Sequence, residues 1–167
     1  MDEYATHLPV LATCIANTKG PVLELGSGEY STPLIHMMCK DRVVVSTDHD
    51  HEWLDKHTLN PKLPHSFRLV PRDYHKRETL ELAKQNWGVV FVDHIHADYR
   101  ASDVMAFREM AEIIVVHDTI WESEELDYCM INGVLDKFEY KWEHRRSRPY
   151  TSAFSMTNPL KFLPISE

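Results

Sequence analysis

Val22-Leu23-Glu24-Leu25-Gly26-Ser27-Gly28-Glu29-Tyr30-Ser31 is a short apolar run that stops at two glycines and leads into helix-forming sequence. The pattern predicts a strand over Pro21–Leu25, a turn at Gly26 and a helix over Ser31–Cys39. Glycines at such a turn let backbone approach a ligand closely, and the helix beyond presents unpaired N–H groups there. In the phosphate-binding form GxGxxG a third glycine opens the helix. Ser31 stands at that position, which weakens a dinucleotide reading.

Further along the chain, apolar β-rich runs alternate with helical stretches. Strands are expected over Arg42–Thr47, Phe67–Val70, Val89–Val92 and Ile113–Val116, and helices over Glu52–His57, His75–Gln85 and Tyr99–Met110. Leu80, Leu82 and Ala83 are read as the apolar face of the His75–Gln85 helix. Most of the strand runs are continuously apolar, which suits strands covered by helices on both faces. Alternation at this spacing implies right-handed βαβ units. A helix over Glu124–Leu135 and two alternating segments, Phe138–Glu143 and Thr151–Thr157, follow. The expected fold is α/β: a Rossmann-like, mostly parallel sheet with helices on both faces and a C-terminal antiparallel β-hairpin, in one domain spanning residues 1–167.

Composition narrows the partners. The net charge of −8 argues against a nucleic-acid backbone, which needs a basic footprint. His144-Arg145-Arg146-Ser147-Arg148 is the local exception, read either as a solvated turn or as a contact for an anionic acceptor. No apolar run approaches the length of a membrane span, and Met1-Asp2-Glu3 is acidic where a secretory signal begins basic, so a cytoplasmic protein is expected. Cys14, Cys39 and Cys129 form no CxxC pair and read as buried thiols.

The chemistry-bearing residues gather at predicted strand ends. Asp48 closes the second strand about 20 positions beyond the glycines, where a carboxylate can accept from both hydroxyls of a ribose. It could equally cap the helix at Glu52–His57, as could Asp50. Asp73, Asp93 and Asp118 end the next strands. Four carboxylates on one rim repel each other without a cationic partner, which a bound cation, a metal ion or nearby histidines could supply. His49, His94, His96 and His117 lie at the same ends. Histidine and aspartate also bind zinc, but no HExxH or Cys/His spacing supports such a site. Trp121 is a candidate wall of an acceptor pocket.

The glycine segment, Val90-Phe91-Val92-Asp93-His94-Ile95-His96-Ala97-Asp98-Tyr99, and Ile114-Val115-Val116-His117-Asp118-Thr119 together resemble the class I S-adenosylmethionine (SAM)-dependent methyltransferases, catechol O-methyltransferase-like enzymes in particular. The likeness covers roughly residues 20–120. It implies that Glu24, Gly26, Ser27, Gly28, Ser31, Asp48 and His49 hold the methionine and ribose parts of SAM, and that Arg72, Asp73 and His94 face the adenosine. Asp93 and Asp118 fall where that family binds magnesium, and His96 at its catalytic lysine. Thr119 stands where the family carries an asparagine ligand, which puts magnesium or another divalent cation in doubt. A histidine with an ordinary pKa can serve as general base at neutral pH.

The resemblance implies a SAM-dependent O-methyltransferase with His96 as base and Asp93 and Asp118 orienting it, the acceptor or a metal. The acidic charge and the lack of an (Asn/Asp/Ser)-Pro-Pro-(Tyr/Phe) motif point to a small-molecule or carbohydrate hydroxyl, not to nucleic acid or a membrane. A chain this short has little room for a substrate lid, so either the acceptor is large or a second subunit of a homo-oligomer closes the site. The rival readings are a non-catalytic SAM-binding accessory protein and a metal-dependent hydrolase using the His/Asp cluster.

Overall fold

The computed structural model describes residues 3–57, 64–119 and 133–164. In chain order these form α1 (Leu8–Ala16), β1 (Val22–Leu25), α2 (Ser31–Met38), β2 (Val44–Asp48), α3 (His51–Lys56) and β3 (His65–Leu69). They continue with α4 (His75–Leu82), β4 (Trp87–Val92), α5 (Ala97–Ala106), β5 (Ala111–Val116), β6 (Tyr140–His144) and β7 (Thr151–Ser155). Single 3₁₀ turns span Glu3–Ala5, Arg72–Tyr74 and Leu135–Lys137. Trp121, Cys129 and most of the expected Glu124–Leu135 helix lie outside the described residues.

The seven strands form one sheet in the order β3-β2-β1-β4-β5-β7-β6. The first five are parallel, while β7 runs antiparallel between β5 and β6. The expected C-terminal antiparallel pair is therefore present, with its second strand inserted one place inside the edge.

The continuous apolar runs follow from a core on each face. Leu23, Leu25, Val90, Val92, Ile114 and Val116 pack on one side with Val104 and Phe107 of α5 and Leu82 of α4. The alternate residues Val22, Val44, Val89, Phe91, Ile113 and Val115 pack on the other with Val10, Leu11, Cys14 and Ile15 of α1 and Ile35 of α2. Successive strand residues point to opposite faces, so a strand buried on both must be apolar throughout. Cys14 and Cys39 are buried free thiols, as read.

Three local expectations are corrected. Val43 is exposed because β2 begins one residue later, and Leu80 faces solvent while His75, Thr79 and Leu82 form the buried side of α4. The third is α1, a helix the pattern did not signal, which covers the β4 and β5 region of the sheet from the N-terminus. No helix among the described residues is long and apolar enough to cross a membrane.

Candidate functional site

The sheet order reverses between β1 and β4, and ligands in open α/β sheets bind beyond the carboxyl ends of the strands at such a switch point. A cavity of about 700 Å³ lies there, within the usual range for small-molecule and cofactor sites. Ser27, Gly28, Ser31, Asp48, His49 and Trp53 line one end, and Tyr4, His7, Asp93, Arg100, His117 and Asp118 line the other.

Gly26 makes the first end. Its φ is +97°, a conformation that L side chains rarely adopt. A Cβ there would stand 2.5 Å from the backbone nitrogen of His94. The turn after β1 thus lies directly on the turn after β4. Asp48 accepts from the Ser27 N–H at 3.0 Å, the Ser27 hydroxyl at 3.1 Å and the Asp50 N–H at 3.0 Å, and pairs with His49 Nδ1 at 3.0 Å. Asp50, not Asp48, caps α3, accepting from the N–H groups of Glu52 and Trp53. Asp48 therefore ties the glycine turn to the end of β2 while it lines the cavity.

Glu24 is fully buried beneath this turn, away from the cavity lining. Thr32 donates to it at 3.0 and 3.1 Å, and Ser46 donates as well. Burial pushes its carboxyl up to about 7, against the pull of these hydroxyls. It supports the loop from below, a role that the resemblance did not imply.

The second end is ionic. Arg100, on α5 and buried, bonds the backbone carbonyls of His94 and His117 at 2.6–2.9 Å. The same guanidinium reaches Asp93 and Asp118 at 3.3 Å each. His117 Nδ1 lies 3.2 Å from both Asp93 Oδ1 and Asp118 Oδ1. The Thr6 hydroxyl donates to the Pro149 carbonyl and so accepts from His117 Nε2 at 2.9 Å. Burial alone would raise Asp93, but His117 and Arg100 outweigh it and hold it below the usual range. Burial raises Asp118, helped by the charge of Asp93. Two carboxyls pushed apart in this way mark acid–base sites. Asp118 also has a positive φ of 56°, the kind of backbone strain found at functional positions.

This donor set does not fit the magnesium site that the resemblance implies. The cationic partner of the two carboxylates is already built in as Arg100, with His117 Nδ1 against both of them. Thr119 meanwhile bonds β7, accepting from the Ser152 hydroxyl at 3.1 Å.

His7, delivered by the start of α1, completes this end. It is 2% exposed, and neither ring nitrogen has a hydrogen-bond partner among the described residues. Burial, with the nearby His117, lowers it from 6.5 to about 4, so the imidazole is neutral. A buried polar group without a partner at a cavity wall marks a place for a ligand or water.

The remaining expected residues lie elsewhere. Arg72 and Asp73 are exposed on the turn after β3, with Arg72 3.8 Å from Asp98. His94 turns away from the cavity onto Asp103 at 2.6 Å. His96, the expected base, is not among the cavity-lining residues and packs against His49, His75, His94 and Tyr99. The basic run 144–148 joins β6 to β7 and likewise lines no part of the cavity. Tyr4, His7 and Arg100 were absent from the expected site, and His117 was read only as one of the strand-end histidines. A histidine at a strand end was the one signal in sequence, for His117. Arg100 sits in helical sequence and His7 just before a helix that the pattern did not signal, and neither carries such a mark.

No known family profile and no curated relative matches the sequence. Solved structures do match in fold. Human methyltransferase-like protein 13 in complex with SAH is 11% identical with a TM-score of 0.70, covering 97% of this chain and 86% of that one. WbdD, a bifunctional kinase-methyltransferase, is 12% identical with a TM-score of 0.63 over 90% of this chain. The present chain spans only 40% of WbdD. Spermidine synthase from Thermotoga maritima is 10% identical with a TM-score of 0.67, covering 98% of this chain and 64% of that one. The fold is therefore the Rossmann-like fold of the SAM-dependent methyltransferases.

Proposed function

We propose that this protein is a SAM-dependent methyltransferase acting on a hydroxyl oxygen of a small molecule or sugar. The observation that carries the reading is one cavity with two unlike ends. One is a glycine turn with an acidic strand end, and the other a buried His/Asp/Arg cluster. The residues fit the cofactor: Gly26 sets the turn by packing on the His94 backbone, Gly28 lines the cavity without a side chain, and Asp48 and His49 offer polar contacts to a ribose. When bound, SAM supplies an electrophilic methyl group.

On the acceptor side, His7 has a free lone pair and faces the cavity, so it takes the role of base that sequence assigned to His96. Asp93 stays ionised and holds His117, while Asp118 and Arg100 fix the geometry in which an acceptor hydroxyl meets the methyl group. The low basicity of His7 means that it accepts the proton as the oxygen loses electron density, not beforehand. No divalent ion is assigned a part. The similarity to a spermidine synthase supports a second reading, transfer of another group on the same scaffold.

Calorimetric titration with SAM and SAH, with and without magnesium, is the test. Binding in the micromolar range, roughly −8 kcal/mol, unaffected by magnesium, is expected. Asp48→Ala should weaken it about 10–100-fold through lost charged hydrogen bonds. Methyl-labelled SAM with a panel of polyols and phenols then reads transfer. An Asp48→Ala variant binding SAM normally would remove the proposed cofactor site.

A further inference from the structure

Behind the cavity wall, three side chains from three elements meet. His75 opens α4, His94 follows β4 and Asp103 lies on α5. His75 Nε2 and His94 Nε2 stand 2.8 and 2.6 Å from the same oxygen, Asp103 Oδ2. The side chains are 9%, 6% and 3% exposed. One donor atom from each lies within 4.8 Å of the others. The two imidazole centroids are 4.6 Å apart, and a third imidazole, His96, lies 6.0 Å from each.

Hydrogen bonding within the trio leaves polar groups over. His96 is 8% exposed, and its Nε2 has no hydrogen-bond partner among the described residues; nor has His94 Nδ1. Buried orphans of this kind call for water or an ion. Tyr99 stacks on His75 at 5.3 Å between ring centroids and also packs on His96 at 5.8 Å.

We propose that His75, His94 and Asp103 form a site for a divalent transition metal ion, zinc foremost, with His96, now 6.0 Å away between ring centroids, turning in as the fourth ligand. Imidazole nitrogens with one carboxylate suit zinc, cobalt or nickel better than magnesium or calcium, which prefer all-oxygen shells. Zinc–nitrogen and zinc–oxygen bonds near 2.1 Å place tetrahedral donors about 3.4 Å apart. The trio therefore opens by roughly 0.6–0.8 Å per contact when the ion replaces the two hydrogen bonds. His94 binds through Nε2 with its proton moved to Nδ1, so no charge is lost from the ring. The ion offsets the buried Asp103 carboxylate and fastens α4, α5 and the β4–α5 turn together, next to His49 in the cavity wall. The site is separate from the cavity cluster of His7, Asp93 and His117 and is independent of which cofactor the cavity holds.

The test uses the full chain, stripped with a chelator and titrated with Co²⁺ alone under visible spectroscopy, then with Zn²⁺. One Co²⁺ per chain at micromolar or tighter affinity, with tetrahedral absorption and displacement by Zn²⁺, is expected. His75→Gln and Asp103→Asn should each weaken binding by at least about 100-fold, since losing a ligand costs more than losing its support. No binding at any concentration the protein tolerates would overturn the proposal. So would binding that survives His75→Gln and disappears in His7→Asn, which places the ion in the cavity. If the cluster variants fail to fold, imidazole ¹⁵N spectra of the wild type decide. Zn²⁺ must shift His75, His94 and His96, and shifts confined to His7 and His117 would overturn the assignment.

Discussion

Arg100 Nη2 stands 3.3 Å from Asp93 Oδ1, and the arginine side chain is only 3% exposed. The same guanidinium holds Asp118 at 3.3 Å, so one buried cation from α5 joins the ends of β4 and β5. Removing one partner of such an arrangement leaves buried charge uncompensated. Arg100→Met should therefore cost about 3–5 kcal/mol at neutral pH. The deficit should shrink on acidification. Asp118, whose carboxyl is already raised, takes up a proton more readily once the arginine is gone, and the repulsion ends. Urea unfolding of variant and wild type at neutral and mildly acidic pH measures both effects. An equal deficit at the two values would mean that Arg100 acts by packing alone.

His7 gives the protein an acid-sensitive limb. Its imidazole is lowered from 6.5 to about 4 by burial, reinforced by His117. The unfolded chain takes up this proton near 6.5 and the folded chain only near 4, so stability falls as pH drops between those values. The loss is about 3 kcal/mol in total. His7→Asn should remove that slope. The stability difference between wild type and variant, followed across the window, is the measurement. Parallel curves would show that His7 titrates normally.

Glu24 produces the opposite slope. Its carboxyl is raised from 4.5 to about 7, so the folded state holds a proton that the unfolded chain has already released. The stability this contributes is complete at acidic pH and is lost as pH rises from about 4.5 to about 7, again about 3 kcal/mol. Glu24→Gln keeps the hydrogen bonds to Thr32 and Ser46 without the titration. Its stability relative to wild type should rise through that window. Glu24→Ala should lose about 2–3 kcal/mol at acidic pH by leaving the buried Thr32 and Ser46 hydroxyls without their acceptor, and the deficit should shrink as pH rises through the same window. The two slopes nearly cancel in wild type, so only the single variants expose them.

The two glycines of the turn after β1 should respond differently to alanine. At Gly26 the positive φ and a Cβ 2.5 Å from the backbone of His94 allow no relief, because backbone cannot rotate away. Gly26→Ala should cost more than about 2 kcal/mol and abolish SAH binding. At Gly28 the Cβ would meet the Ser31 hydroxyl at 2.8 Å, a side chain that can turn. Gly28→Ala should cost less than about 1 kcal/mol. Thermal denaturation and SAH titration of the pair read this contrast, and equal costs would sink the backbone argument.

Much of the scaffold was legible because it rests on local pattern. Val89–Val92 and Ile113–Val116 had to be buried on both faces, and the Leu25–Gly26 junction had to be a turn close to other backbone. The alternation of Thr151–Thr157 marked an antiparallel strand, present as β7 over Thr151–Ser155. The pattern did not signal α1, and it did not place β7 between β5 and β6. Of the expected cavity residues, Ser27, Gly28, Ser31, Asp48, His49, Asp93 and Asp118 do line it. They follow strand ends, and strand ends converge on one rim in any parallel sheet.

What sequence alone determined, then, is the strand-and-helix order from β1 to β5, the turn at Gly26 and the carboxylates at the strand ends, because each is written in residues close together in the chain. Tertiary structure alone decided which cation answers those carboxylates. Arg100 is an ordinary helix residue until α5 packs against the sheet and buries its guanidinium between Asp93 and Asp118. It also decided that His7, 110 positions before His117, closes the cavity beside it. His94 and His96, by contrast, turn away into a second cluster with His75 and Asp103. These pairings depend on which helix covers which face of the sheet, and no local period in the sequence encodes that choice.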